Sequence, residues 1–207
     1  MIHSRLCQLS RAVSLALGVA LATPALLGTL NATPTAASLK LGAPAPDFTL
    51  KDQRGAEVKL SALKGKTVVL EWTNPGCPFV VRHYKAKTMT QLAQANPEVV
   101  WLTINSSYFT QDADNAKWAD KEGVKVVLND ASGEVGRRYG ARTTPHMYVI
   151  DAEGKLAYQG AIDDDPYGDK ASPLNYVAEA LKALQAGGSP KVSETKPYGC
   201  SVKYKSR

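Results

Sequence analysis

The sequence predicts an α/β domain built on a mixed sheet, with a parallel half followed by an antiparallel half. Three observations carry this. Residues 67–73 and 99–105 are short apolar runs rich in β-branched residues, and a helical stretch separates them, as in a parallel βαβ unit covered on both faces. Residues 147–150 and 156–160 are two further strands joined by the tight turn Asp151-Ala152-Glu153-Gly154, and a helix over about 173–185 follows them. The third observation is Cys77, placed where the first buried strand hands over to a helix, with a Thr144-Pro145 step just before a later apolar strand.

The elements follow in order. Residues 42–50 are an extended, proline-stiffened approach, and Asp52-Gln53-Arg54-Gly55 turns it into Val58-Lys59-Leu60 as a hairpin extension. Ser61 caps a single turn through Gly65. Asn74-Pro75-Gly76 breaks the strand 67–73, and Cys77 begins a helix that runs to about residue 95, where Asn96-Pro97 stops it. After the strand 99–105 come a polar helix over 112–122, a short strand over 125–128 and a helix over 133–139 closed by Gly140. Gly187-Gly188-Ser189-Pro190 reads as a linker, and residues 191–207 as a tail without hydrophobic periodicity. No internal repeat is present.

The N-terminus sets an expected compartment. His3, Arg5 and Arg11 precede an apolar run from Ala12 to about Leu30, small residues follow to Ser38, and the first acidic residue is Asp47. A basic start, an apolar middle and a small-residue exit describe a secretory signal peptide over residues 1–37, cleaved after Ala37. The rival is an uncleaved anchor, against which Pro24 and the small residues argue. Cys7 has no lipobox-like context and would leave with the signal. The expected organisation is a signal over 1–37, one domain over 38–186, and a linker and tail over 187–207 carrying Cys200. The destination is the periplasm or the outside of the cell, without stable membrane association.

The whole chain of 207 residues carries a formal charge of +6, and loss of Arg5 and Arg11 leaves +4. That charge is spread out, with no basic patch interleaved with aromatics, so nucleic acid is not an expected partner. Two cysteines remain after signal removal, Cys77 and Cys200, and in an oxidising compartment an even pair invites a disulfide.

On these residues the chain resembles the redoxin branch of the thioredoxin superfamily, the peroxiredoxin-like and alkyl hydroperoxide reductase/thiol-specific antioxidant-like exported proteins. The carriers are Gly42-x-Pro44-Ala45-Pro46-Asp47-Phe48-x-Leu50, Leu63-Lys64-Gly65-Lys66-x-Val68-Val69-Leu70, the Cys77-Pro78 helix start and the run Thr144-Pro145-His146-Met147-Tyr148-Val149-Ile150-Asp151. The resemblance spans residues 41–185 and implies a thioredoxin-like fold with an N-terminal β-hairpin extension. The departures are as informative. Thioredoxins carry Cys-x-x-Cys, and Val80 fills the second position here. Peroxiredoxins carry Pro-x-x-x-Thr-x-x-Cys, and Leu70 and Asn74 stand in the proline and threonine places, with Arg142 the nearest candidate for a peroxide-binding arginine. Val80 and Val81 also remove the second cysteine that a copper chaperone of the superfamily needs.

Cys77 is the candidate nucleophile. A cysteine opening a helix meets free N–H groups and the positive end of the helix dipole, both of which favour thiolate; a buried inert thiol is the bland alternative. Pro78 suits the first helical turn, where no N–H is needed. The resemblance makes Pro145 a cis-proline across from Cys77, with the backbone of Thr144 free to pair with an extended substrate. His146 would stabilise a thiolate if it reached Cys77. His83 points to another face, toward the surface. Glu71 falls where thioredoxins hold a buried proton-moving aspartate, six residues before the cysteine; a solvated strand end is the alternative. Asp163-Asp164-Asp165 lacks calcium-loop spacing and reads as a solvated loop. Cys200, in Tyr198-Gly199-Cys200, is a structural disulfide partner, a stray thiol, or a resolving thiol delivered to Cys77 by a flexible arm.

The expected protein is an exported thiol oxidoreductase in which Cys77 reduces peroxide or exchanges disulfides. Cys200 resolves it, an external thiol or dithiol donor restores it, and its own cysteines are the only cofactor. The alternative is a non-catalytic binding or scaffold module of the same fold with a structural Cys77–Cys200 disulfide.

Overall fold

The computed structural model describes residues 39–206, so the expected signal peptide over 1–37 lies outside the described residues. Strands β1 (Thr49–Asp52) and β2 (Glu57–Lys59) form the hairpin, and a 3₁₀ turn over Leu60–Leu63 follows. Then come β3 (Val68–Thr73), α1 (Pro78–Lys85), α2 (Thr88–Ala95), β4 (Val100–Asn105), α3 (Asp112–Glu122), β5 (Val127–Asn129) and α4 (Glu134–Arg138). The chain continues through β6 (Thr143–Thr144), β7 (His146–Ile150), β8 (Leu156–Gly160), α5 (Tyr176–Gln185) and β9 (Cys200–Ser201). The main sheet has the order β2-β1-β5-β4-β3-β7-β8, and β6 and β9 form a separate pair. β3, β4 and β5 are mutually parallel, while β7, β8 and the hairpin run antiparallel to their neighbours. This is the mixed sheet and the hairpin extension that the sequence predicts.

Central position explains the composition of β3. All six of its residues are buried, because helices or loops cover both faces. Val68, Leu70 and Trp72 enter one core with Leu102, Ile104, Tyr139, Tyr148 and Ile150. Val69 enters a second core on the other face with Cys77, Val80, Tyr84, Met147, Val149, Val177 and Leu181. Each fully buried aliphatic side chain of this kind stabilises the fold by about 1.5–3 kcal/mol. Period-two alternation thus feeds two cores from one strand.

Two elements differ from expectation. The single helix expected from Cys77 to about residue 95 is two helices, α1 and α2, separated at Lys87, which adopts a left-handed backbone with φ 57°. Beyond the break Met89 of α2 is buried in the second core, and burying such a side chain is worth about 1.5–3 kcal/mol against the roughly 1–2 kcal/mol cost of a left-handed non-glycine residue. The tail also departs from the flexible arm expected. Residues Ser193 and Thr195 hydrogen-bond the backbone of Gln159 beside β8, β9 pairs with β6, and Val202 donates its N–H to Arg142 O at 3.1 Å. Val202 is buried in the first core, and Tyr204 packs against it with its hydroxyl on Ala141 O at 2.8 Å. Among the described residues no helix is long and apolar enough to cross a membrane.

Candidate active site

Cys77 is the residue that caps α1, with extended backbone (φ −79°, ψ 122°) and Pro78 immediately inside the helix. The turn before it is built locally. Asn74 accepts the Gly76 N–H on its side-chain oxygen at 2.8 Å and the Cys77 N–H on its backbone carbonyl at 2.9 Å. Cys77 is 2 % exposed. Across from it the Thr144-Pro145 peptide is cis, as the resemblance implies, and the Thr144 carbonyl oxygen accepts from Cys77 Sγ at 2.9 Å.

Cys200 lies opposite Thr144 in the β6–β9 pair, and its Sγ is 2.8 Å from Cys77 Sγ. Both are free thiols, Cys77 buried and Cys200 half-buried. The structure therefore brings the two cysteines together, and does so by strand pairing rather than by a loose arm. Burial pushes the Cys77 pKa up, but the Cys200 thiol, the Thr144 side chain and the N–H groups of Val80 and Cys200 act against it, and the net shift is downward. The Thr144 carbonyl contact is the one made by the protonated thiol. Cys200 moves the other way, to about 11, through its burial, the hydrogen bond to Cys77 and the adjacent negative charge. The two shifts run in opposite directions, favouring the charged form at Cys77 and the protonated form at Cys200.

Glu71 is fully buried on β3, on the Val69 side of the sheet. Its carboxyl accepts from Tyr84 Oη at 2.9 and 3.0 Å and from Trp101 Nε1 at 3.2 Å. Burial raises its pKa to about 7, against the lowering effect of those two donors. It makes no hydrogen bond to either sulfur. Tyr84 stands two helical turns along α1 from Cys77.

His146 takes a different place from the one its conditional role required. It lies opposite Trp72 in the β3–β7 register and its ring packs on Tyr148, a residue of the first core, whereas Cys77 belongs to the second. Its Nδ1 meets the Arg142 N–H at 3.3 Å and Tyr148 Oη at 3.1 Å, and burial together with Arg142 lowers its pKa to about 3. A neutral imidazole across the sheet cannot stabilise a thiolate at Cys77, so that expectation is corrected. Arg142 lines a cleft with His146 and not the cleft at Cys77, which removes it as a peroxide-binding arginine.

The cleft in front of the thiols has a volume of about 390 Å³ and is lined by Asn74, Cys77, Asn105, Phe109, Asn115 and Cys200, among others. Phe109 is 56 % exposed at its edge and packs edge-to-face on Tyr108. Among the described residues no group of three or more His, Cys, Asp or Glu side chains could hold a metal.

Two further expectations are corrected. His83 is fully buried, not superficial, and Asp163 and Asp165 are 3 % and 4 % exposed rather than part of a solvated loop. Sequence reasoning also passed over Arg82 and Tyr198, which meet these residues near Cys200. The aromatic and apolar residues Tyr198, Val202 and Tyr204, in a tail otherwise rich in lysine, were the available signal.

A parallel βαβ half, an antiparallel ββα half, a cysteine at a helix start and a cis-proline against its sulfur together define a thioredoxin-fold protein. Within that class the chain belongs to the redoxin family, whose description, Redoxin, matches residues 40–177. It is 28 % identical over 156 residues to a chloroplastic peroxiredoxin Q of Triticum aestivum, covering 70 % of this chain and 66 % of that protein. It is 27 % identical over 126 residues to the thiol-disulfide oxidoreductase ResA of Bacillus cereus, covering 57 % and 68 %. Similar solved structures include an uncharacterized conserved protein from Geobacillus kaustophilus, with TM-score 0.73, 26 % identity and coverage of 82 % and 95 %. Another is a hypothetical protein from Sinorhizobium meliloti, with TM-score 0.70, 26 % identity and coverage of 83 % and 98 %. The chain spans 66 % of the length of the wheat and rice peroxiredoxins Q that it matches.

Proposed function

We propose that this redoxin is an exported dithiol–disulfide oxidoreductase whose working pair is Cys77 and Cys200. The observation that carries the reading is the 2.8 Å approach of the two sulfurs, with one thiol pKa lowered and the other raised. The Cys77 thiolate attacks one sulfur of a substrate disulfide and expels the other as a thiolate. Cys200, losing its proton, attacks the Cys77 sulfur of the mixed disulfide and releases the second substrate thiol, which leaves a Cys77–Cys200 disulfide. An external dithiol then attacks Cys200, the more open sulfur. Cys77 is the favoured leaving group because its thiolate is the more stable. The donor's second thiol closes the donor disulfide and frees Cys200. Exchange is preferred to peroxide reduction because Leu70, Asn74 and Arg142 do not reproduce the peroxide-holding set around Cys77. The exported location rests on the order of residues 1–38.

A second reading has its own observation. A cysteine that is 2 % exposed also suits a permanent staple in a binding or scaffold module. Dithiol-driven reduction of a protein disulfide separates the two. The oxidoreductase reading expects catalysis by the wild-type protein, its loss in Cys77→Ser, and accumulation of a trapped mixed disulfide in Cys200→Ser. Rates equal to the uncatalysed reaction overturn it, and catalysed loss of hydrogen peroxide in the same dithiol buffer would move the substrate assignment to peroxide.

A further inference from the structure

Arg82 and His83 on α1, Asp163 and Asp165 after β8, and Tyr198 in the tail converge two residues away from Cys200. None of them hydrogen-bonds either sulfur. The Tyr198 hydroxyl donates to an Asp163 carboxylate oxygen and lies 2.9 Å from His83 Nε2, with Arg82 Nη2 at 3.5 Å. A phenol has one proton. The carboxylate takes it, and Arg82 Nη2, which can only donate, lies 2.9 Å from the same His83 Nε2, so that ring nitrogen faces both the guanidinium and the phenol. His83 Nδ1 is buried without a hydrogen-bond partner, 3.9 Å from the other Asp163 oxygen. Arg82 Nη2 also donates to the Asp165 carbonyl at 2.7 Å, and the carboxylate of Asp165 accepts three successive backbone N–H groups from Gly168, Asp169 and Lys170. The network is therefore fixed on the domain side before the tail arrives. The rings of His83 and Phe79 pack on the ring of Tyr198, with centroids 6.1 and 6.0 Å away.

Between this anchor and Cys200 stands only Gly199, with φ 132°, where an added Cβ would lie 2.1 Å from the Thr144 carbonyl oxygen. Tyr198 and Cys200 pack on the second core, and Val202 and Tyr204 belong to or pack on the first. The tail thus crosses the end of the sheet from one face to the other, and Cys200 sits at the crossing, over Cys77. An anchor on one side only would leave the sulfur free to swing. With both anchors its approach to Cys77 is set.

We propose that Arg82, His83 and Asp163 form a latch for the Tyr198 hydroxyl that sets the position of Cys200 against Cys77, which makes Tyr198 a positioning residue for the dithiol–disulfide pair. The proposal rests on the reading of Cys77 and Cys200 as the working pair and adds the device that holds the second thiol at high effective concentration.

The test is Tyr198→Phe in the full protein, which keeps the ring and removes the hydroxyl; Asp163→Asn is the second variant should the first not fold. Two readouts are taken: the equilibrium constant of the Cys77–Cys200 disulfide against glutathione, and amide hydrogen exchange at Val202 in the reduced protein. Hydrogen bonds to charged groups of this kind are worth a factor of about ten or more. The equilibrium constant is expected to fall by about that factor and exchange at Val202 to quicken by a similar one. If both stay within about two-fold of wild type, the latch is overturned and the pair stands. If the wild-type protein forms no Cys77–Cys200 disulfide at all, the pair reading falls instead, and the exchange rate alone then decides whether the latch holds the tail.

Discussion

Cys77 ionises where two opposing effects meet. Burial favours the thiol, and the Cys200 thiol, the Thr144 side chain and the N–H groups of Val80 and Cys200 favour the thiolate, with the second set prevailing. The rate of iodoacetamide alkylation against pH should accordingly show a midpoint for Cys77 below the free-cysteine value of about 8.5. In Cys200→Ser the midpoint should move, because the strongest of the lowering donors is altered. A midpoint at or above the free value would end the nucleophile assignment. Glu71 gives a separate residue-scale test. Its pKa rises from 4.5 to about 7 on folding, so it adds stability that is complete below pH 4.5 and is lost as pH climbs through 7. His83 and His146, lowered from 6.5 to about 4 and about 3, act oppositely: their contribution is present above 6.5 and is lost as pH falls through those values. Each group contributes a slope of about 1.4 kcal/mol per pH unit within its window. Glu71→Gln should therefore steepen the rise of stability between about pH 4.5 and 6.5 by roughly that amount, as measured by urea unfolding. An unchanged slope would mean that Glu71 is not buried as a titrating carboxyl. The position of Cys77 and the oddity of Glu71 were legible in the sequence, since a cysteine after Pro-Gly and a carboxyl inside an apolar strand both break local pattern. The place of His146 was not, because adjacency to Pro145 says nothing about which face of β7 a side chain takes until the register with Trp72 is known.

At the scale of the elements, the regular pieces follow from periodicity, and the exceptions follow from tertiary packing. β3, β4, β7 and β8 appear within a residue or so of their expected limits because apolar runs between turn signals leave little choice. The break at Lys87 carries no glycine or proline to announce it. It accompanies the burial of Met89, on the first turn of α2, in the second core. The tail escaped notice for a related reason: β9 is only two residues long, and its pairing with β6 is visible only once the cis-proline loop is in place. Gly199 is the position where this element is most constrained. Gly199→Ala would place a methyl group 2.1 Å from Thr144 O in a backbone region that disfavours side chains. It should destabilise the domain by about 2 kcal/mol or more in urea and abolish closure of the Cys77–Cys200 disulfide. A variant of wild-type stability that still forms the bond would show that β9 does not hold Cys200.

For the whole molecule, one sheet divides two cores, and the tail is the segment that belongs to both. Val202 and Tyr204 fasten it to the face of α4, and Tyr198 fastens it to the face of α1. Cys200 is thereby carried to the start of α1, against Cys77, in a chain whose residue 80 is valine. The second thiol comes 123 residues later in the chain instead of three. The fold class was readable from element order, and Cys200 was the remaining candidate partner for Cys77 once an expected signal over 1–37 removed Cys7, but the means by which the tail brings it close was not, since it depends on contacts between segments far apart in sequence. The central claim, a reversible pair at Cys77 and Cys200, is tested most directly by equilibrating the protein in glutathione buffers of graded potential and quantifying the 77–200 disulfide by mass spectrometry. Reversible closure is expected, with a midpoint between about −120 and −270 mV, the range of dithiol oxidoreductases. A bond that persists below about −300 mV, as structural disulfides do, or one that never forms, would contradict it.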